Sequence, residues 1–237
     1  TDLKGDLHTH SSFSDGQNTI AEMAEAARKI GYSYIAICDH SQSLKIAGGL
    51  SVRELKKKKK QIEKINRNLK DFKVLFGTEV DILSNADIDY SDQVLREFDI
   101  VIGAIHTGFK QSKEQLTKRI ICACKNPYIN IIAHPFGRLW GVRQAYEIDF
   151  EEILRVGKET NTNFEINSFP DRLDLNDSCA RMAKERGVGL AVNTDAHSIE
   201  QLNYAKLGVA VARRAWLEPG NVLNTLPLDE LLKKLKK

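Results

Sequence analysis

Several things are scarce in this chain, and each scarcity removes a class of function. No apolar run among the 237 residues approaches the roughly 20 that a membrane helix needs, which argues against a membrane protein. The opening TDLKGDLHTH has neither the basic nor the apolar stretch of a secretory signal, so a cytoplasmic location is expected, with room left for an upstream segment. Cysteine is limited to Cys38, Cys122, Cys124 and Cys179, with no CxxC pair, and Cys122 and Cys124 lie in a helical pattern that points them to different faces. That disfavours a zinc finger and leads us to expect thiols buried in a reducing compartment. No linker rich in proline, glycine or serine and no internal repeat is present, so residues 1–237 read as a single domain. Charge of neither sign dominates: 35 basic and 32 acidic residues give a net +3, compatible with a polyanionic substrate but not a sign of one. The only low-complexity stretch, Lys56 to Lys64, reads as a solvated helix face, with contact to nucleic-acid phosphates as the alternative.

What is present is a core and a rhythm. Hydrophobic residues make up 42% of the chain, enough for a full-sized globular interior. Strand-like runs near 3–8, 34–39, 73–80, 100–105, 130–133, 163–167 and 189–194 alternate with amphipathic helical patterns near 19–31, 51–70, 91–97, 112–125, 149–160 and 176–187. Thr19 and Asn176 look like helix starts, Gly31 and Gly187 like helix stops. Such alternation implies βαβ units on a parallel sheet, and seven of them point to a closed or nearly closed α/β barrel. The C-terminal PLDELLKKLKK reads as a short amphipathic helix packing Leu228, Leu231, Leu232 and Leu235 onto the domain, in preference to a membrane.

Histidine is also rare, and its placement is the most informative feature. All six histidines stand where an apolar run ends: His8 and His10 in LKGDLHTH, His40 in YIAICDH, His106 in IVIGAIH, His134 in NIIAHP and His197 in LAVNTDAH. Asp15, Glu79 and Asp195 hold comparable positions. In a barrel the carboxyl ends of all strands open on one face, so residues distant in sequence converge there. Imidazole and carboxylate together suit zinc, manganese or iron. Nine donors are too many for one ion, so two or three ions are expected, with a carboxylate such as Glu79 bridging. Clustered ions clamp an anionic substrate and activate water as hydroxide, which is the chemistry of phosphoester hydrolysis. Asn167, ending the sixth run, suits the orienting of a substrate or water.

The motifs HTHSSFSDG, CDH, GTEVD, IHTG, AHP and NTDAH resemble the polymerase and histidinol phosphatase (PHP) family of metal-dependent phosphoesterases, in the family's order and over nearly the whole chain. DHSQSLKIAGGLS, HPFGRLWGVRQAYEIDFEEIL, EINSFPDRLDLND and GVAVARRAWLEPGNVLNTLPLDELL narrow the likeness to the C-terminal PHP domain of bacterial and archaeal family X DNA polymerases. The resemblance implies a distorted (β/α)7 barrel with three divalent ions, zinc or manganese, with iron a further candidate. It assigns His8, His10, Glu79 and Asp195 to one ion, Asp15, His40 and Glu79 to a second, and His106, His134 and His197 to a third. Glu79, Asp195 and His197 are expected to carry catalysis. It also implies processing of DNA 3′ ends, as 3′–5′ exonuclease or 3′-phosphatase. A family X polymerase core would be a partner in cis or in trans. The alternatives are a small-molecule phosphatase of the histidinol-phosphate type and a non-catalytic, metal-stabilised scaffold.

Candidate substrate contacts are polar side chains in loops expected on the metal face: Lys45, Arg138, Arg143 and Arg172, beside Asn167. Arginine suits bidentate phosphate contacts, and pairing to a nearby carboxylate is an equal alternative. Trp140 would stack on a base or pack against the loop. Arg213 and Arg214, on a helix, are weaker candidates.

Overall fold

The seven apolar runs form seven parallel strands lying side by side in chain order: β1 Gly5–Thr9, β2 Tyr34–Ile37, β3 Lys73–Asp81, β4 Ile100–Ala104, β5 Ile131–Ile132, β6 Asn163–Asn167 and β7 Leu190–Asn193. The computed structural model describes residues 2–235. Strand β5 is only two residues long, because the chain leaves the ladder just beyond it, at His134 with φ 28°. The strands are buried on both sides, as a parallel sheet covered by helices requires, which is why they read as unbroken apolar runs.

The sheet curls until its edges meet. At the upper end Asp195 N donates to His8 O (2.9 Å) and His10 N to Ala196 O (2.8 Å). Lower down, side chains replace the ladder. Asn193 Oδ1 accepts from Leu7 N at 3.2 Å, and the buried Asn224 amide donates to Gly5 O (2.8 Å) and Val192 O (2.6 Å) while accepting from Val192 N (3.0 Å). The result is a nearly closed seven-stranded barrel.

Helices α1 Ile20–Ile30, α2 Val52–Asn68, α3 Asp92–Leu95, α4 Lys113–Lys125, α5 Phe150–Glu159, α6 Asp177–Glu185, α7 Ala205–Arg214 and α8 Leu228–Leu235 surround it. Thr19 with Glu22, Ser51 with Glu54 and Ser112 with Gln115 form capping boxes that start α1, α2 and α4. Gly31 (φ 96°) stops α1 in the left-handed region. Only α3 falls well short of its expected span, and Ser91 makes no side-chain cap there. In α8, Leu231 and Leu235 are buried and Leu228 and Leu232 pack against the barrel interior, closing its lower end with Leu223. The expected helix ran on to Lys236 and Lys237, which lie outside the described residues. No helix among the described residues is long and apolar enough to cross a membrane.

The lysine run departs from the solvated face expected of it. Lys56, Lys57 and Lys60 are exposed, but Lys58 is completely buried. Helical periodicity turns that one position toward the sheet, where its ammonium meets two strand carbonyls and a carboxylate.

Candidate metal centre

The carboxyl ends of the strands bring all nine candidate donors to one face. Glu79 lies within β3 and stands at their middle. Its Oε1 is 2.9 Å from His134 Nε2 and 3.3 Å from His106 Nε2. Its Oε2 is 2.9 Å from His40 Nδ1, 3.4 Å from His8 Nε2 and 3.7 Å from His10 Nε2. Asp195 Oδ1 is 3.1 Å from His10 Nε2 and 3.6 Å from His8 Nε2. Asp15 faces His40 Nε2 and His197 Nε2, each at 3.4 Å.

These distances regroup the expected ligand sets. His197 does not join His106 and His134. It neighbours Asp15, and its ring stacks on His10 at 4.1 Å. The cause is strand order: β7 adjoins β1 across the barrel seam, whereas His106 and His134 follow β4 and β5 on the far side.

The donors are chemically suited to cations. His10 Nδ1, His40 Nδ1, His134 Nδ1 and Glu79 Oε2 are buried without a hydrogen-bond partner. His40 Nδ1 and Glu79 Oε2 approach to 2.9 Å. Other ring nitrogens are committed to the protein. His8 Nδ1 meets Glu165 Oε1 at 2.7 Å, and His106 Nδ1 meets Asp81 Oδ1 at 2.6 Å. Donation from those Nδ1 atoms leaves the Nε2 lone pairs of His8 and His106 facing the centre.

Electrostatics agree. Burial works against a charged His8, but Glu165, Asp195 and Glu79 outweigh it and raise its pKa well above the ordinary value. Burial likewise opposes charge on His40, yet Glu79 and Asp15 push it up to about 10. His10 is driven down to about 4 by burial and by neighbouring His197 and His40. Burial would raise the carboxyls of Glu79 and Asp195, but the surrounding histidines hold both well below the usual range. The face is thus a buried set of anionic and imidazole donors, which divalent cations complement.

Glu165, Asp81, Asp39 and Asp6 were not among the residues expected at the site. Glu165 Oε1 holds His8 and its Oε2 accepts from His134 N at 3.0 Å. Asp6 accepts from His8 N (3.1 Å) and from Thr194 Oγ1 (2.6 Å). A signal was available for three of them: Asp6 before His8, Asp81 after Glu79 and Glu165 before Asn167 each lie two residues from another site position on one strand, so the side chains share a face.

The substrate candidates divide. Arg172 reaches the centre: its Nε lies 3.4 Å from Asp195 Oδ2 and its Nη1 is buried with no partner. Arg138 does not. Its guanidinium donates to Arg172 O (2.7 Å) and Leu173 O (2.6 Å), bracing the loop that carries Arg172. Arg143 donates to Gly137 O (2.7 Å) and lies 3.7 Å over the Phe109 ring. Asn167 also serves the protein, donating to Glu165 Oε2 (3.0 Å) and Asp195 Oδ2 (3.1 Å) and accepting from Phe169 N (2.9 Å), so both of its amide protons are committed to site carboxylates. Lys45 is exposed on a single turn after β2. Trp140 is 60% exposed, with Arg138 4.7 Å from its ring, and is no core residue.

A parallel barrel with clustered histidines and carboxylates at its strand ends defines a metal-dependent hydrolase of TIM-like architecture. The PHP domain model matches residues 6–169, and the chain belongs to that family, a family of metal-dependent phosphoesterases. It is 48% identical over 99% of its length to the DNA polymerase/3'-5' exonuclease PolX of Bacillus subtilis, of which it spans 41%. It is 33% identical over 98% of its length to a probable phosphatase of Thermoanaerobacter sp. strain X514, covering 95% of that protein. Among solved structures, the histidinol phosphate phosphatase of Lactococcus lactis, complexed with zinc, L-histidinol and phosphate, shares the fold at a TM-score of 0.65 and 18% identity, covering 91% of this chain and 95% of that one.

Proposed function

We propose that this chain hydrolyses phosphoester bonds at DNA 3′ ends, as a 3′–5′ exonuclease or 3′-phosphatase, using three divalent ions. The observation that carries the substrate class is the 48% identity, over 99% of this chain, to part of a protein named DNA polymerase/3'-5' exonuclease. Because the chain spans 41% of that relative, a polymerase core joined to it or bound by it belongs to the same reading.

In this reading His8, His10, Glu79 and Asp195 hold one ion, Glu79, His106 and His134 a second, and Asp15, His40 and His197 the third, with His40 also beside Glu79 and His10 also beside Asp15. Zinc or manganese, or iron, held there would neutralise phosphate charge and make water a nucleophile near neutral pH. The chain's own part is orientation. Glu165 and Asp81 fix the His8 and His106 rings, and Asn167 holds Asp195. The unpartnered Arg172 Nη1 is available to a phosphoryl oxygen beside Asp195.

A small phosphate ester is the second reading, favoured by the near full-length match to a probable phosphatase. One panel separates the two, with Mn²⁺ or Zn²⁺ added: a 5′-labelled single strand, a 3′-phosphorylated oligonucleotide and histidinol phosphate. Shortening of the labelled strand, or release of phosphate from the 3′-phosphorylated oligonucleotide, is expected. Turnover of histidinol phosphate alone would transfer the assignment to the second reading.

A further inference from the structure

Lys58 on α2 and Asp39, just beyond β2, are both completely buried and meet at 2.8 Å. The ammonium has three protons and three acceptors: Asp39 Oδ2, Ile37 O (2.9 Å) and Gly77 O (3.0 Å). A buried ion pair is often no more stabilising than an apolar pair of the same shape, so stability alone does not account for this one. Asp39 has other work. It accepts from Ser11 N (2.8 Å), from Ser11 Oγ (2.9 Å) and from Ser14 Oγ (2.9 Å). Ser14 Oγ in turn lies 3.2 Å from Asp15 Oδ1, and Gly16 N closes the turn on Ser11 O at 3.0 Å. Asp39 also directly precedes His40.

We propose that Lys58 is a positioning residue for the outermost ion: by anchoring Asp39 it fixes the 11–16 turn and so places Asp15 opposite His40 and His197. Each member is held by the one behind it. The ammonium is locked by strand carbonyls, the carboxylate by the ammonium, the turn by the carboxylate, and Asp15 by the turn. The inference rests on the ligand sets proposed above.

The test titrates the metal-stripped full chain with Mn²⁺ and counts bound ions, with Asp15→Ala defining the deficit at the outermost position. Lys58→Met and Ser14→Ala should each weaken the same ion by roughly 10–100-fold, as loss of an orienting contact does, and leave the others bound. Combining Ser14→Ala with Asp15→Ala should add nothing. Ser14→Ala strands no buried charge and tests the last link; if Lys58→Met does not fold, Asp39→Asn, which weakens the same pair while keeping the side chain's shape, should show the same loss, and normal Mn²⁺ binding by it overturns the proposal. Variants that bind Mn²⁺ as the unaltered chain does, whatever their melting temperature, would overturn the proposal. If Asp15→Ala itself keeps every ion, the ligand assignment has failed first, and the positioning role with it.

Discussion

Glu79 illustrates what a single residue decides here. Each of its oxygens faces a different group of histidines, so Glu79→Ala should release more metal than His134→Ala when ions are counted by elemental analysis. Equal losses would remove the bridging role. Arg172→Ala should raise KM for a phosphate substrate by on the order of 10–100-fold, a charge-assisted hydrogen bond being worth about 1.5–3 kcal/mol. Loss of metal in place of that effect would make Arg172 a brace for Asp195. The histidines set a pH dependence for the metal-stripped protein. His40 rises from 6.5 to about 10 on folding, so its contribution to stability is fully present below 6.5 and is lost as pH climbs through about 10. His8, His106 and His197 are raised as well and act in the same direction. His10, lowered to about 4, and His134, also lowered, act oppositely, but only below 6.5. Melting temperature of the stripped protein should therefore fall between pH 6.5 and 10, and that of the Mn²⁺-loaded protein should fall less, since ligands bind metal deprotonated. Parallel curves would show that these rings are not the ligands. At this scale the convergence of the nine side chains was legible, because histidine and carboxylate at the ends of parallel strands open on one face. The roles of the arginines were not, because a guanidinium satisfies backbone carbonyls as readily as a phosphate. Arg138 and Arg143 do the former.

Among the elements, periodicity located every strand and most helices, since apolar runs and capping residues are local signals. It missed what depends on packing. The burial of Lys58 follows from which side of α2 meets the sheet. The shortness of α3 goes with the lack of a side-chain cap at Ser91. Close approach of α7 to the sheet is another case. A Cβ on Gly208 would lie 2.0 Å from Ser168 Oγ and 2.7 Å from Val192 Cγ1. Gly208→Ala should cost about 1–3 kcal/mol by overpacking, read as a fall in denaturation midpoint. Adding Ser168→Ala should restore part of that loss. A neutral Gly208→Ala would mean that the helix can ride outward freely.

The whole molecule is closed by side chains at its seam. Asn224→Ala leaves Gly5 O, Val192 O and Val192 N without their partner and should destabilise the protein by about 1–3 kcal/mol or more. It should also lower metal affinity, because Asp195 and His8 are paired across the same seam; unchanged Mn²⁺ binding would make the lower seam independent of the upper. That seam also carries a temporal meaning. Asn224 reaches Gly5 across 219 positions, and Leu7 reaches Asn193 across 186. Contacts so remote in sequence form late and slowly. During synthesis His8, His10 and Asp15 precede Asp195 and His197, and their arrangement cannot be completed until the later pair emerges and the two edges are stitched. A half-made or clipped copy therefore carries most of the candidate donors without the enclosure that gives them their arrangement.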